Sequence, residues 1–198
     1  MSAVLLRRVA CGWIALSWAA LCSAAGIGAH EFTVSELQRL LQSTATAHAV
    51  PFHELRESPW LEAPTESRGT LHSSPDLLEK RVASPREETW RLMTDRMEWV
   101  GPGGSTRKQI LFSQAPAVAA LADALRHIVA GNLQALDASF HIELRGHKDQ
   151  WTVQLNPRHA ATTRGLNHLE LQGTGARLHV IIVTEPQGQR TTTRLHPY

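Results

Sequence analysis

The sequence predicts an α+β protein that is mostly antiparallel β: about nine to eleven short strands curling into a half or whole barrel, with two or three helices and an apolar cavity between them. Three observations carry this. Strand-like runs with one-sided alternation follow one another through joints too short for crossovers, so neighbours pair antiparallel and the sheet has one wet and one dry face. A sheet of that many strands curls. The helical segments are few and amphipathic, so they suffice only for the dry face or its mouth.

The elements follow in order. Met1 to Ala29 has the layout of an export signal: Arg7 and Arg8, an apolar run from Val9 to Leu21, then small residues. Cleavage is expected after Ala24, Ala25 or Ala29, leaving 30–198 as a single domain in the periplasm. Cys22 follows the bulky Leu21 and Cys11 has Arg8 three places before it, so neither fits a lipid-attachment site. Thr33 and Glu36 form a capping box with Phe32 and Leu37 at the staple positions, and the spacing of Val34, Leu37, Leu40, Leu41 and Ala45 predicts a helix over 33–48. Strands are predicted near 52–57, 67–73, 77–83, 88–93, 96–100 and 107–112, with turns at Thr94-Asp95 and Gly101 to Gly104. Helical spacing returns from Ala117 to Gly131, with a short further turn over 133–138. Alternation then resumes over 140–145, 151–156, 166–172, 177–185 and 190–196.

Composition excludes several chemistries. Without the leader, 18 Lys and Arg face 18 Asp and Glu, and a chain with no basic surplus lacks the phosphate-neutralising term that dominates nucleic-acid affinity. Both cysteines lie in the leader, so thiol catalysis and Cys-ligated metal are excluded for the exported chain. The 11 histidines are scattered, with no His-Glu-x-x-His run, and no resident metal or cofactor is expected. His30 would chelate copper as a first residue only if cleavage followed Ala29, the one enzymatic alternative. There is no Gly-x-Ser-x-Gly elbow, and Gly101 to Gly104 opens no helix and so cradles no phosphate. What stands out is a set of large apolar residues on or beside the strands: Phe52, Leu55, Trp60, Leu71, Leu78, Trp90, Leu92, Trp99, Leu111 and Trp151. As a set they are candidates to line a cavity.

Between Phe52 and Glu88 the series Phe52-x-Glu54-x-Arg56, Trp60-Leu61, Pro64-x-Glu66-Ser67-x-Gly69-x-Leu71, Pro75-Asp76-Leu77-Leu78-Glu79-Lys80 and Pro85-Arg86-Glu87-Glu88 resembles the LolA-like family, relatives of the outer-membrane lipoprotein carrier. The element order of the remaining chain fits as well.

That resemblance implies an open, incomplete barrel closed by lid helices, a dry interior for acyl chains in transit, an inner-membrane transporter as donor, and an outer-membrane acceptor. The lid contacts it implies fall at Leu37, Leu41, Leu121, Leu125 and the loop at Ser74 and Pro75. Family members carry an arginine before the loop proline, where this chain has Ser74, and Leu78 stands where a phenylalanine or similar residue is usual. The altered latch leaves room for a lipid-like cargo other than a triacylated lipoprotein. A non-enzymatic, monomeric carrier is the expectation, with a lipid-binding or envelope-stress-sensing module as the alternative.

Overall fold

The first element begins where the capping box places it. The computed structural model describes residues 31–43, 49–74, 76–104 and 106–196. Residues 1–29, where the export signal and its cleavage are predicted, His30, 44–48, Pro75 and Ser105 lie outside the described residues. Thr33 Oγ1 accepts the Glu36 N–H at 3.3 Å, and the Glu36 carboxylate accepts the Thr33 N–H at 2.9 Å. Helix α1 then runs Val34–Gln42 with Ser43 as its C-cap, and the rest of the predicted span, 44–48, lies outside the described residues.

Five hairpin joints follow in sequence through β1 (Val50–Glu57), β2 (Thr65–Ser74), β3 (Leu77–Ser84), β4 (Glu88–Leu92), β5 (Arg96–Val100) and β6 (Arg107–Leu111). Helix α2 (Pro116–Val129) starts on a proline at its first turn, where the missing N–H costs nothing. It stops before Gly131, whose φ of 69° continues no helix. The predicted second helical piece is a 3-10 turn, Leu133–Leu136. Then come β7 (Phe140–His147), β8 (Gln150–Pro157), a four-residue helix α3 (Ala160–Thr163) where no element is predicted, β9 (His168–Thr174), β10 (Arg177–Thr184) and β11 (Arg190–Leu195).

All eleven strands form one antiparallel sheet in the order β6-β5-β4-β3-β2-β1-β11-β10-β9-β8-β7. Two meanders are thus joined by a single long-range pairing, β1 with β11, from Phe52 opposite Leu195 to Glu57 opposite Arg190. Strands β6 and β7 stand at the two ends, so the curved barrel stays open. Its fold is the predicted one.

Cross-strand partners share a face, so the register sorts the side chains. The dry face carries Phe140, Trp151, Val153, Leu155, Leu169, Leu171, Ile181, Leu195 and Phe52, all buried. Leu37 and Leu41 of α1, Ile128 of α2, and Leu133 and Leu136 pack onto them. Trp151 depends on its neighbour: a Cβ on Gly173, its register partner, would lie 2.1 Å from the indole ring, so only glycine lets the ring lie flat. The indole N–H then reaches the Gly175 carbonyl at 3.0 Å. The opposite face is polar and carries the buried Glu79, which accepts from Arg91 at 2.7 Å and from Arg81. A second, smaller cluster of Leu78, Leu92 and Ala122 holds α2 over β3 and β4.

Candidate functional site

The helices close the dry face unevenly. Over β7 to β11 the face is covered by a cluster of buried side chains. At the far end of the sheet, beyond α2, strands β4, β5 and β6 leave a cavity of about 330 Å³ lined by Glu88, Trp90, Met97, Trp99, Lys108 and Ile110, within the roughly 300–1,000 Å³ usual for small-molecule sites. The site follows from register. The tight turn at Thr94-Asp95, closed by Met93 N–H to the Arg96 carbonyl at 2.9 Å, sets Trp90 opposite Trp99 and Leu92 opposite Met97. Pairing of β5 with β6 then sets Lys108 beside Trp99 and Ile110 beside Met97.

One carboxylate fixes the two tryptophans. Glu88 Oε1 accepts the Trp90 indole N–H and Oε2 accepts that of Trp99, each at 2.9 Å. Both rings present their N–H edges to Glu88, with centroids 6.2 Å apart and planes tilted by 51°. Lys108 Nζ lies 5.7 Å from the Trp99 ring centroid, inside cation–π range. Met97 and Trp90 also pack against the Leu78, Leu92 and Ala122 cluster, so the cavity borders the seam under α2. Ile110 is left 39% exposed.

The predicted cargo-lining residues divide by place. Trp90 and Trp99 line the cavity. Leu78, Leu92 and the half-buried Leu71 lie beside it under α2. Phe52 and Trp151 are sealed in the main core, 3% and 1% exposed. Leu55 and Leu111 register with Thr192 and Arg96 on the opposite, polar face, and Trp60 stands in the β1–β2 loop, 77% exposed. Among the lid positions, Leu37 and Leu41 are core residues of α1, and Leu121 and Leu125 of α2 pack against the same cluster. The Ser74 hydroxyl donates to the Leu77 carbonyl at 3.3 Å, within its own hairpin, and makes no bond to a helix among the described residues; the Leu78 side chain packs with Ala122 of α2.

Glu88, Met97, Lys108 and Ile110 were not among the predicted lining residues. The alternation of β5 around Trp99 is a signal for Met97, and the Trp90–Trp99 pairing, once known, implies the other three. Nearby, Lys80 Nζ is held at 2.6 Å by Glu54, which also accepts from Thr193 at 2.8 Å. Among the described residues no group of three His, Cys, Asp or Glu could hold a metal ion, and no helix is long and apolar enough to cross a membrane.

The class of protein is thus an open antiparallel sheet with helices along its dry face and an aromatic cavity at one end. The chain belongs to the family described as outer membrane lipoprotein carrier protein LolA-like, whose model matches residues 27–196. Among solved structures it is similar to a LolA superfamily protein of Nitrosomonas europaea (12% identity, 84% of this chain and 93% of that one, TM-score 0.46). It is similar also to a putative outer membrane lipoprotein-sorting protein domain of Vibrio parahaemolyticus (9%, 83% and 89%, TM-score 0.46). A DUF1329 family protein of Desulfovibrio piger matches at 9% identity over 84% and 92% of the two chains, with a TM-score of 0.43. No curated protein matches the chain significantly.

Proposed function

We propose that the chain is exported through its leader and acts in the periplasm as a monomeric carrier, or chaperone, for the acyl part of a lipoprotein or other lipid-like cargo. It works by sequestration and not by covalent chemistry. An inner-membrane transporter loads it and an outer-membrane acceptor unloads it. The observation that carries this reading is the cavity between Trp90 and Trp99, an apolar space left open on a sheet face that helices otherwise cover.

The energetics fit a shuttle. An acyl chain in water costs about 0.8 kcal/mol per methylene, so roughly 12 kcal/mol for fifteen. A carrier that matches the membrane's apolar environment makes loading and unloading nearly isoenergetic. The cavity volume fits part of such a chain, and the apolar seam that borders it offers a path for the rest if α2 lifts from Leu78 and Leu92.

The test is a titration with a fluorescent fatty acid or a lipoprotein analogue. Displaceable binding at one or a few sites, with quenching of Trp90 and Trp99, is expected. A folded protein that binds neither probe would sink the proposal.

A further inference from the structure

One row of registered side chains crosses four strands of the dry face: Lys80 on β3, Trp90 on β4, Trp99 on β5 and Lys108 on β6. A lysine therefore stands at either end of the tryptophan pair, and the two ammonium groups keep different company. Lys80 Nζ lies 2.6 and 2.7 Å from the two Glu54 oxygens. Lys108 has only the Trp99 ring, and no carboxylate lies within ion-pair distance of it among the described residues. The cavity's own carboxylate, Glu88, accepts the two indole N–H groups and makes no ion pair with Lys108 among the described residues. Lys108 is thus an exposed cation on the end strand of the sheet, at the rim of an apolar cavity, lacking the counter-charge that its counterpart possesses.

We infer that the ligand of this cavity is an anionic amphiphile, whose carboxylate or phosphate head meets Lys108 while its chain lies against Trp90, Trp99, Met97 and Ile110; this rests on the reading of the cavity as an acyl site. The charges also set the direction. Glu88, in the neighbouring row and opposite Val82, disfavours an anionic head beside the two indole N–H groups. At the β6 rim the head keeps its water while the chain is buried, so no charge is desolvated. A cationic head meets Lys108 as a like charge.

The full chain is titrated at low salt with dodecyl phosphate, dodecyl maltoside, dodecyltrimethylammonium and inorganic phosphate, following tryptophan emission. Dodecyl phosphate is expected to bind about fivefold more tightly than the maltoside, as suits an exposed ion pair. The ammonium should bind most weakly and inorganic phosphate not measurably, and the preference should shrink as salt is added. Lys108→Gln should level dodecyl phosphate to dodecyl maltoside, and Lys108→Arg should keep the preference. Equal binding of the amphiphiles, a preference that survives in Lys108→Gln, or tight binding of inorganic phosphate would overturn the headgroup inference and leave the carrier reading standing. If no amphiphile bound, both would fall.

Discussion

The side chain that decides the shape of the cavity is Glu88, because it holds both indoles at once. Glu88→Ala leaves two part-buried N–H donors without their acceptor, which costs about 1–3 kcal/mol by the usual range for such losses. The expected outcome in urea unfolding is a destabilisation toward the lower end, since the rings are half-exposed, together with a change in the near-UV circular dichroism of the Trp90–Trp99 pair. Wild-type stability with an unchanged spectrum would mean that the rings hold themselves. The tryptophans could be picked out as large apolar strand residues, whereas Glu88 could not: its partners are set by a hairpin register that the sequence only suggests. Leu55 shows the opposite error, since it stands three residues from Phe52 and alternation puts it on the other face. At Ile110 and Leu111 two apolar neighbours leave the parity ambiguous, and only the pairing of Ile110 with Met97 settles it. Leu78 is 2% exposed, so Leu78→Glu buries a charge and unfolds the protein, and Trp99 is the better position at which to separate binding from stability.

Between elements, the distinction is between what local chemistry writes and what packing decides. The start of α1 is local: Thr33→Ala should cost about 1 kcal/mol. Its docking is not local, and Leu37→Ala, at a position with no exposed surface, should cost about 2–5 kcal/mol; comparable losses in chemical denaturation would show that the cap and not the core holds the helix. The same contrast explains which elements were legible. Hairpins and caps have short-range signatures, while the β1–β11 pairing that joins the two meanders spans nearly the whole chain. The β3–β4 pairing has a charged pin on the outer face. Burial opposes ionisation of Glu79, but hydrogen bonds from Arg91 and Arg81 outweigh it and hold its pKa below the ordinary 4.5. A lowered folded pKa means that the stabilisation is complete above about pH 4.5 and is lost as pH falls through the folded value. Melting temperatures of the wild type and Glu79→Gln should therefore differ by a constant amount above that pH and converge below it; a gap that widens on acidification would contradict the sign.

The molecule as a whole is asymmetric, and that asymmetry is what couples binding to stability. Over β7 to β11 the dry face is covered by α1, α2 and the Leu133–Leu136 turn, whereas beside the cavity a smaller cluster of Leu78, Leu92 and Ala122 packs with Leu71, Phe112, Leu125 and Val129. Strand β6 is exposed along its whole length. A ligand that fills the cavity adds apolar contacts where the fold has fewest, and it binds only the folded chain. At a ligand concentration a hundred times its dissociation constant the gain is about 2.7 kcal/mol. For a domain of this size, at about 2–4 °C per kcal/mol, that is a rise in melting temperature of roughly 5–11 °C. Trp99→Ala should abolish the rise for an amphiphile while lowering the ligand-free melting temperature less than a core change such as Leu155→Ala, since Leu155 lies in the sealed half and has no exposed surface. The reverse pattern, with the rise intact in Trp99→Ala and lost in Leu155→Ala, would place the ligand in the main core and move the site away from the open end of the sheet.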